Sequence, residues 1–339
     1  MATARQHHYV QARYLDGFLA PASTQLVSYG RGRSKPHRSV PDGIATQRDF
    51  YAIPNAPPGA NLENFLESKI EGPGLEVLRR LVERKTPPSV DDRISLSRYI
   101  AFQEMRVPYA RELNREHMRA SFEEKARQFE KSGQSSLIFQ NVATAEGVSV
   151  KHSEPYEIHR EDIEYFLGDM NKNPDTFDLD YMIDLANDMT RFYATMNWTI
   201  LLARPSTAFL TSDCPVFRQF DEPGGDNALL RPDCTTCCPL SSGAFLMMRG
   251  DINYLMLSAQ EGREGNGHTL PPTEFRTISD KGVANFNRKI AAYAHRWCFS
   301  GTEADWILKA MQGPSLRRKP ILTSKNGSTM VQWLRDDEP

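Results

Sequence analysis

The sequence lacks the long apolar segments that membrane-spanning helices require. None of its apolar runs approaches the length of about 18 residues that a spanning helix needs, and the mean hydropathy is −0.54. The opening residues 1–8 also lack the apolar centre of a secretory signal peptide. We therefore expect a cytoplasmic protein without a membrane partner.

Cysteine is scarce, with five residues in a chain of 339. An odd count without a secretion signal predicts reduced thiols rather than disulfides. Three cysteines form the pattern Cys234-x-x-Cys237-Cys238, which is half of a zinc-binding pattern. No second pair follows at matching spacing, so the pattern favours packed free thiols over a structural metal.

Common nucleotide-binding and zinc-protease motifs are also missing. The sequence has no P-loop, no Gly-x-Gly-x-x-Gly and no His-Glu-x-x-His. The formal net charge of −2 argues against a protein that coats nucleic acid non-specifically. Charge is uneven, however, because residues 1–48 hold seven Lys or Arg against two Asp.

The periods of the apolar residues predict an α+β fold, with a mostly helical body around a small, mostly antiparallel sheet. We expect a single domain over 1–339. Its predicted parts are an amino-terminal helix and basic hairpin packed on the body (1–55), a helical part (60–204), a sheet with a late helix (205–300) and a peripheral tail (325–339). The apolar spacing predicts a helix over about 179–203, a helix that ends at Gly72-Pro73-Gly74 and a long helix that starts after Ser89. Short strands are expected at 49–53 and 253–257, a loop with one short strand over 133–160, and a loop over 221–233.

Residues 208–216 are predicted to form a short buried strand, because an apolar run ends in Ser212-Asp213 and is then cut by Pro215. Polar side chains at the end of a rigid strand are often used for chemistry. Asp213 is thus a candidate general base or metal ligand. The alternative is a turn Asp that accepts hydrogen bonds from the next backbone amides before Pro215.

Five short motifs occur in a recognisable order. They are His8-Tyr9-Val10 with Leu15 and Phe18, Phe50-Tyr51, Gln103 to Arg106-Val107-Pro108, Ser212-Asp213-Cys214-Pro215-Val216, and Pro239-Leu240-Ser241. Together they make the chain resemble the uncharacterised domain-of-unknown-function family DUF4238 over about residues 7–300. The chain departs from the family where Gln11-Ala12 replaces Pro-Gln. The resemblance implies a common fold and no activity.

Two further residues are candidates for acid–base or metal chemistry. His8 can bind a metal or move a proton near neutral pH, or it can simply bond core backbone. Glu67 follows Glu63 by one helical turn, a spacing that can present two carboxylates to one metal ion but that also occurs on solvated faces. His7 is expected to be exposed.

Candidate substrate-binding residues interrupt apolar helix faces. Gln103 and Arg106 lie on a core-facing track of a long helix, where a charge must be paired or must meet a ligand. Arg106 can therefore hold an anion, or it can form an internal ion pair with Glu63, Glu67 or Asp213. Asn287 is a site amide or a bridge between helix and sheet. Arg31 and Arg33, at the tip of the basic hairpin, can contact phosphates or remain solvated.

These residues predict an intracellular hydrolase of phosphodiesters, similar to a nuclease. His8, Glu67 and Asp213 would surround a Mg²⁺ or Mn²⁺ ion or a proton-transfer centre, and nucleic acid would be the substrate. A metal-free hydrolase or transferase with His8 as base is a further reading. The alternative from another class is a non-catalytic module that binds a ligand or a protein, with these polar residues forming a network that supports the fold.

Overall fold

The computed structural model describes residues 6–52, 62–139, 142–145, 148–151, 156–172, 174–220, 234–250, 271–313, 318–325 and 328–335. The helices are α1 (Ala12–Leu15), α2 (Leu62–Phe65), α3 (Gly72–Arg84), α4 (Val90–Met105), α5 (Pro108–Ser132), α6 (Arg160–Lys172), α7 (Pro174–Thr195), α8 (Asp280–Tyr293) and α9 (Asp305–Gln312). The strands are β1 (Gln6–His8), β2 (Leu26–Gly30), β3 (His37–Ser39), β4 (Thr46–Arg48), β5 (Ser136–Phe139), β6 (Val142–Ala145), β7 (Val148–Lys151), β8 (Tyr156–His159), β9 (Asn197–Leu202), β10 (Thr211–Ser212), β11 (Phe217–Phe220), β12 (Cys234–Ser241), β13 (Ala244–Arg249), β14 (Thr273–Thr277), β15 (Trp297–Ser300), β16 (Arg318–Lys325) and β17 (Ser328–Arg335). The predicted α+β class is confirmed.

Two sheets form the centre of the described structure. One has the strand order β11-β12-β13-β9-β14, and the other has the order β10-β15-β2-β3. Within these two sheets all pairs are antiparallel except β9 with β14. The predicted hairpin β2–β3 and the predicted strand around Thr211-Ser212 are both present, although the latter is only two residues long.

The five-stranded sheet is buried on both faces. Along β13, Ala244, Leu246 and Met248 join one core with α3, α4 and α7. Phe245, between them, joins a second core with α8 and α9. Successive side chains of a strand point to opposite faces, so one strand supplies both cores. Helices therefore cover the sheet on both sides.

The helix predicted over about 179–203 extends too far toward the carboxyl end. In the structure α7 ends at Thr195, and residues 197–202 form β9 between β13 and β14. Ile200 continues the helical apolar period of α7, but the segment around it is aromatic and β-branched, which favours a strand. Trp198 and Ile200 are both buried there.

Gly72-Pro73-Gly74 was predicted to end a helix, yet the helix continues through it. A π-helical segment, Leu66–Glu71, joins α2 to α3, and the Gly72 N–H donates to the Glu67 carbonyl five residues back. A proline ring in an α-helix clashes with the carbonyl four residues earlier. The wider π turn before Pro73 changes that spacing and lets the chain remain helical.

Three other predicted elements differ in position. The strand predicted at 49–53 lies earlier, as β4, because Asp49 has a left-handed φ of 51° that no strand allows. Residues 133–160, predicted as a loop with one short strand, contain β5 to β8. The predicted peripheral tail from 325 includes β17, which pairs with β16.

Other predictions concern residues that lie outside the part of the chain that the structure describes. The loop at 221–233 and the strand at 253–257 are among them. Within the part of the chain that the structure describes, no helix is both long and apolar enough to cross a membrane.

Candidate functional site

Asp213 is a buried acceptor of backbone hydrogen bonds. Its carboxylate accepts from the N–H groups of His295 (2.8 Å), Arg296 (2.7 Å) and Trp297 (3.0 Å). Its side chain is only 2% exposed. The carboxylate thus stabilises the connection between α8 and β15. These three donors lie at residues 295–297 and not among the next amides before Pro215, which the turn interpretation named.

Arg106 and Gln103 belong to a buried polar network. Arg106 donates to the carboxylate of Glu71 and to Oε1 of Gln103, at 3.0 Å in the latter case. Gln103 in turn donates to the Tyr9 carbonyl at 2.9 Å. Burial opposes the charge of Arg106, but the oxygens of Tyr51 and Glu71 beside it raise the pKa of its guanidinium. Arg106 therefore forms an internal ion pair, but its partner is Glu71 and not the predicted Glu63, Glu67 or Asp213.

Asn287 joins a helix to the segment before β10. It accepts from the Leu210 N–H at 3.0 Å and donates to the Ala208 carbonyl at 2.9 Å. Both ends of the amide are thus satisfied by one backbone segment. This is the bridging role rather than a free site amide.

The two arginines of the hairpin tip differ in their surroundings. Arg31 donates to several carbonyls at the end of α8, including that of Ala294 at 3.0 Å, which satisfies acceptors that a helix end leaves open. Arg33 lies over the ring of Trp297, 4.8 Å from its centroid. Arg31 is thus held by backbone carbonyls, whereas Arg33 is exposed at the tip.

His8 and Glu67, by contrast, meet at one open cleft. The cleft has a volume of about 290 Å³, near the lower end of ligand pockets. Its lining residues are His8, Gln11, Ala12, Arg13, Asp42, Tyr51, Glu63, Asn64, Leu66, Glu67, Glu71, Gly72 and Leu75. Two of the three predicted catalytic residues therefore converge, while Asp213 lies outside this lining.

One wall of the cleft comes from the pairing of β1 with β4. His8 lies opposite Thr46 in that pair, and the alternation of the strand turns His7 the other way, into the core. His7 is 6% exposed, so its predicted exposure is wrong. Its Nδ1 accepts from the Tyr51 N–H at 2.9 Å, while its Nε2 faces a Glu63 oxygen at 3.4 Å. An Nδ1 that accepts a hydrogen bond carries no proton, so Nε2 does.

The opposite wall comes from α2 and the π-helical segment. Glu63, Glu67 and Glu71 follow one another at intervals of four residues, and all three line the cleft. The wide π turn, stabilised by the Gly72 N–H, spans Glu67 to Glu71. Single π turns inside helices occur frequently at functional sites.

Among the described residues that line the cleft, carboxylates exceed basic side chains. Four carboxylates are present, from Asp42, Glu63, Glu67 and Glu71, against one arginine, Arg13. Even with Arg106 counted as the partner of Glu71, carboxylates exceed arginines by four to two. Burial raises the pKa of the lining Tyr51 to about 12, so its phenol is neutral at physiological pH and leaves this balance unchanged.

Two buried polar groups at the cleft have no hydrogen-bond partner among the described residues. These are both amide atoms of Gln11 and the Nε2 atom of His8. Gln11 is 5% exposed, and although it precedes α1 its side chain makes no capping bond. A buried polar atom without a partner costs about 1–3 kcal/mol. Such atoms are suited to contact a bound molecule.

The predicted metal ligands do not come together as a metal-binding site among the described residues. In the described part of the chain, no three His, Cys, Asp or Glu side chains lie close enough together to hold a metal ion. His8, Glu67 and Asp213 therefore do not form a three-ligand set. All five cysteines are free and buried, and burial raises the pKa of the thiols of Cys237, Cys238 and Cys298.

Sequence reasoning missed several residues of the cleft. Gln11, Asp42 and Tyr51 come from loops and strand ends, and nothing in their spacing pointed to the cleft. Glu71 could have been included, because it continues the four-residue spacing of Glu63 and Glu67. A Gly-Pro-Gly inside a helical pattern was the further indication of an unusual turn.

Comparison with known proteins gives one match. The family described as "Protein of unknown function (DUF4238)" matches residues 6–304, which is most of the 339-residue chain. Neither the curated proteins nor the solved structures contain a match.

Proposed function

The chain belongs to DUF4238, a family of proteins of unknown function, and from its own residues we propose that it binds a small organic cation in the acidic cleft. The observation that carries the proposal is the excess of carboxylates over arginines around a cleft of about 290 Å³. A cation that enters the cleft gains charge-assisted hydrogen bonds to these carboxylates. A volume of this size suits a molecule of a few heavy atoms rather than a polymer.

The role of the polar network supports the same proposal. Asp213, Asn287 and Arg31 bond backbone groups, and Arg106 bonds the side chains of Glu71 and Gln103, which corresponds to the non-catalytic alternative from the sequence. Of the predicted catalytic residues, His8 and Glu67 line an open cleft. The cleft, and not the strand end of Asp213, is therefore the proposed site.

A small amine tests the proposal directly. We expect n-butylamine, protonated at neutral pH, to bind the protein at low ionic strength in isothermal titration calorimetry. Glu67→Gln removes one charge from the exposed part of the cleft wall, and we expect it to weaken binding about fivefold. Added salt is expected to weaken binding as well, because an exposed carboxylate is screened.

The matched control is Glu164→Gln, which removes the same charge from an exposed position of α6 outside the cleft lining. This variant should bind n-butylamine as the wild type does. Absence of binding by the wild type, or equal weakening by both substitutions, would contradict the proposal.

Phosphodiester hydrolysis is the second candidate, because His8 and Glu67 line the same cleft and can act as an acid–base pair. The acidic wall disfavours it, since a polyanionic substrate is repelled by unbalanced carboxylates. Cleavage of RNA and DNA should be measured with Mg²⁺, with Mn²⁺ and with chelator. Cleavage that is lost in Glu67→Gln and retained in Glu164→Gln would favour the hydrolase over simple ligand binding.

The proposed location is the cytoplasm. Five buried free thiols suit a reducing compartment. Nucleic acid as a partner belongs to the hydrolase candidate and is tested by the same cleavage assay.

A further inference from the structure

Gln11 is the feature of the cleft that a simple amine leaves unused. Its amide nitrogen is a donor and its amide oxygen is an acceptor, and neither has a hydrogen-bond partner among the described residues. The carboxylates of the cleft, in contrast, only accept when they are ionised. A molecule that offers donors alone would leave the Gln11 nitrogen without a partner.

A Gln side chain is complementary to another carboxamide. The two groups can form a pair of hydrogen bonds, because each presents one N–H and one carbonyl on the same edge. The terminal torsion of a Gln side chain is soft, so the amide can turn toward the cleft at little cost. The uncapped position before α1 leaves this side chain without a competing backbone bond.

We infer that the cleft recognises a small amine that also carries a carboxamide, with the ammonium group at the carboxylates and the carboxamide paired with Gln11. This inference rests on the proposed function, since it assumes that cations bind at the cleft. It adds the chemical class of the ligand and the residue that selects it.

The cleft offers room for such a molecule and one further contact. Its volume of about 290 Å³ is sufficient for a short chain that ends in two polar groups. Leu66 and Leu75 line it as well, and they supply apolar contact for a few methylene groups.

A pair of matched probes tests the inference by isothermal titration calorimetry. The probes are 4-aminobutanamide and n-butylamine, which share the amine and differ in the carboxamide. We expect the wild-type protein to bind 4-aminobutanamide about tenfold more tightly than n-butylamine. A factor of this size corresponds to the net free energy of one to two added hydrogen bonds. Gln11→Met, of similar length and without polar atoms at the end, should bind both probes with equal affinity.

The outcomes separate the two proposals. Equal binding of both probes by the wild type overturns the carboxamide inference and leaves the cation-binding function in place. Failure of both probes to bind overturns the function itself. A preference for 4-aminobutanamide that persists in Gln11→Met overturns the assignment to Gln11.

A second variant covers the case in which Gln11→Met does not fold. Gln11→Glu keeps the shape and the acceptor oxygen and, when ionised, replaces the donor by a second acceptor, so the preference for the carboxamide should fall. The wild-type ratio of the two affinities decides the ligand class whichever variant is used.

Discussion

At the scale of single residues, Asp213 shows how a buried carboxylate can be mistaken for a catalytic one. Its place at the end of a buried strand suggested chemistry, but three backbone amides occupy its oxygens. The donors lie more than 80 residues further along the chain, so the spacing of the sequence could not reveal them. The same holds for Arg106, whose partner Glu71 comes from another helix.

Replacement of Asp213 by Asn measures this role. The Asn side chain keeps the shape but loses the charge, and its NH₂ group faces backbone donors. We expect Asp213→Asn to lower the free energy of unfolding by about 3 kcal/mol, because hydrogen bonds to charged groups and buried unpaired donors each contribute about 1.5–3 kcal/mol. Urea denaturation followed by circular dichroism gives the value.

The control for this substitution is Asp180→Asn, at an exposed position of α7. It is expected to change the stability by less than about 0.5 kcal/mol. If Asp213→Asn were as mild as this control, the assignment of Asp213 to the fold would fail.

At the scale of elements, apolar residues with a clear helical spacing predicted the helices well, whereas segments with an ambiguous spacing did not. The helix that begins after Ser89 is capped as expected, with the Asp92 N–H donating to the Ser89 hydroxyl at 3.2 Å. The apolar residues after Thr195 fit both a helical period and a strand. Residues 197–202 form a strand because they pair with β13 and β14. Such pairing depends on distant residues and is invisible in a local window.

The crossing of α3 over α4 depends on Gly74. A Cβ added there would lie 2.7 Å from Cγ of Tyr99, closer than real side chains allow. We expect Gly74→Ala to destabilise the protein by about 1–3 kcal/mol, because a packed core resists an added methyl group. Thermal unfolding monitored by circular dichroism measures the change.

Gly168 provides the opposite case within another helix. An added Cβ at this position of α6 meets nothing within 4 Å. Gly168→Ala should therefore stabilise the protein by up to about 1 kcal/mol, since Ala is the better helix former. Equal effects of the two substitutions would show that close packing at Tyr99 is not the cause.

At the scale of the whole molecule, the family resemblance and the α+β architecture were predictable from the sequence, and both are confirmed. The order of the short motifs indicates the family, and the segregation of helical and strand spacings along the chain indicates the α+β architecture. The cleft was only partly predictable, because His8 and Glu67 meet there through the pairing of β1 with β4 and through a π turn. The binding of a cation stays a proposal.

Buried acids make the stability of the whole fold sensitive to alkaline pH. Burial raises the pKa of the phenols of Tyr9, Tyr14, Tyr29, Tyr51, Tyr99, Tyr181 and Tyr193. The unfolded chain releases these protons at the ordinary phenol pKa of about 10, while the folded chain retains them. Since the folded state then binds more protons, the stability falls as the pH rises.

The stability should accordingly be independent of these groups below about pH 8.5 and fall by several kcal/mol, on the order of 1.4 kcal/mol per group and pH unit, above about pH 10. Urea midpoints at stepped pH, with tyrosinate absorbance recorded in parallel, follow this loss. A midpoint that stays constant while the pH rises past the phenol pKa would show that the tyrosines are not protected by burial.

The most direct test of the account is a crystal structure of the protein soaked with 4-aminobutanamide. The proposed binding mode predicts electron density in the acidic cleft, with the ammonium group at the carboxylates of the Glu67 wall and the carboxamide at Gln11. It also predicts that the Asp213 carboxylate keeps its contacts to the backbone amides of residues 295–297. A cleft without density, or an Asp213 side chain turned to contact the ligand, would contradict it.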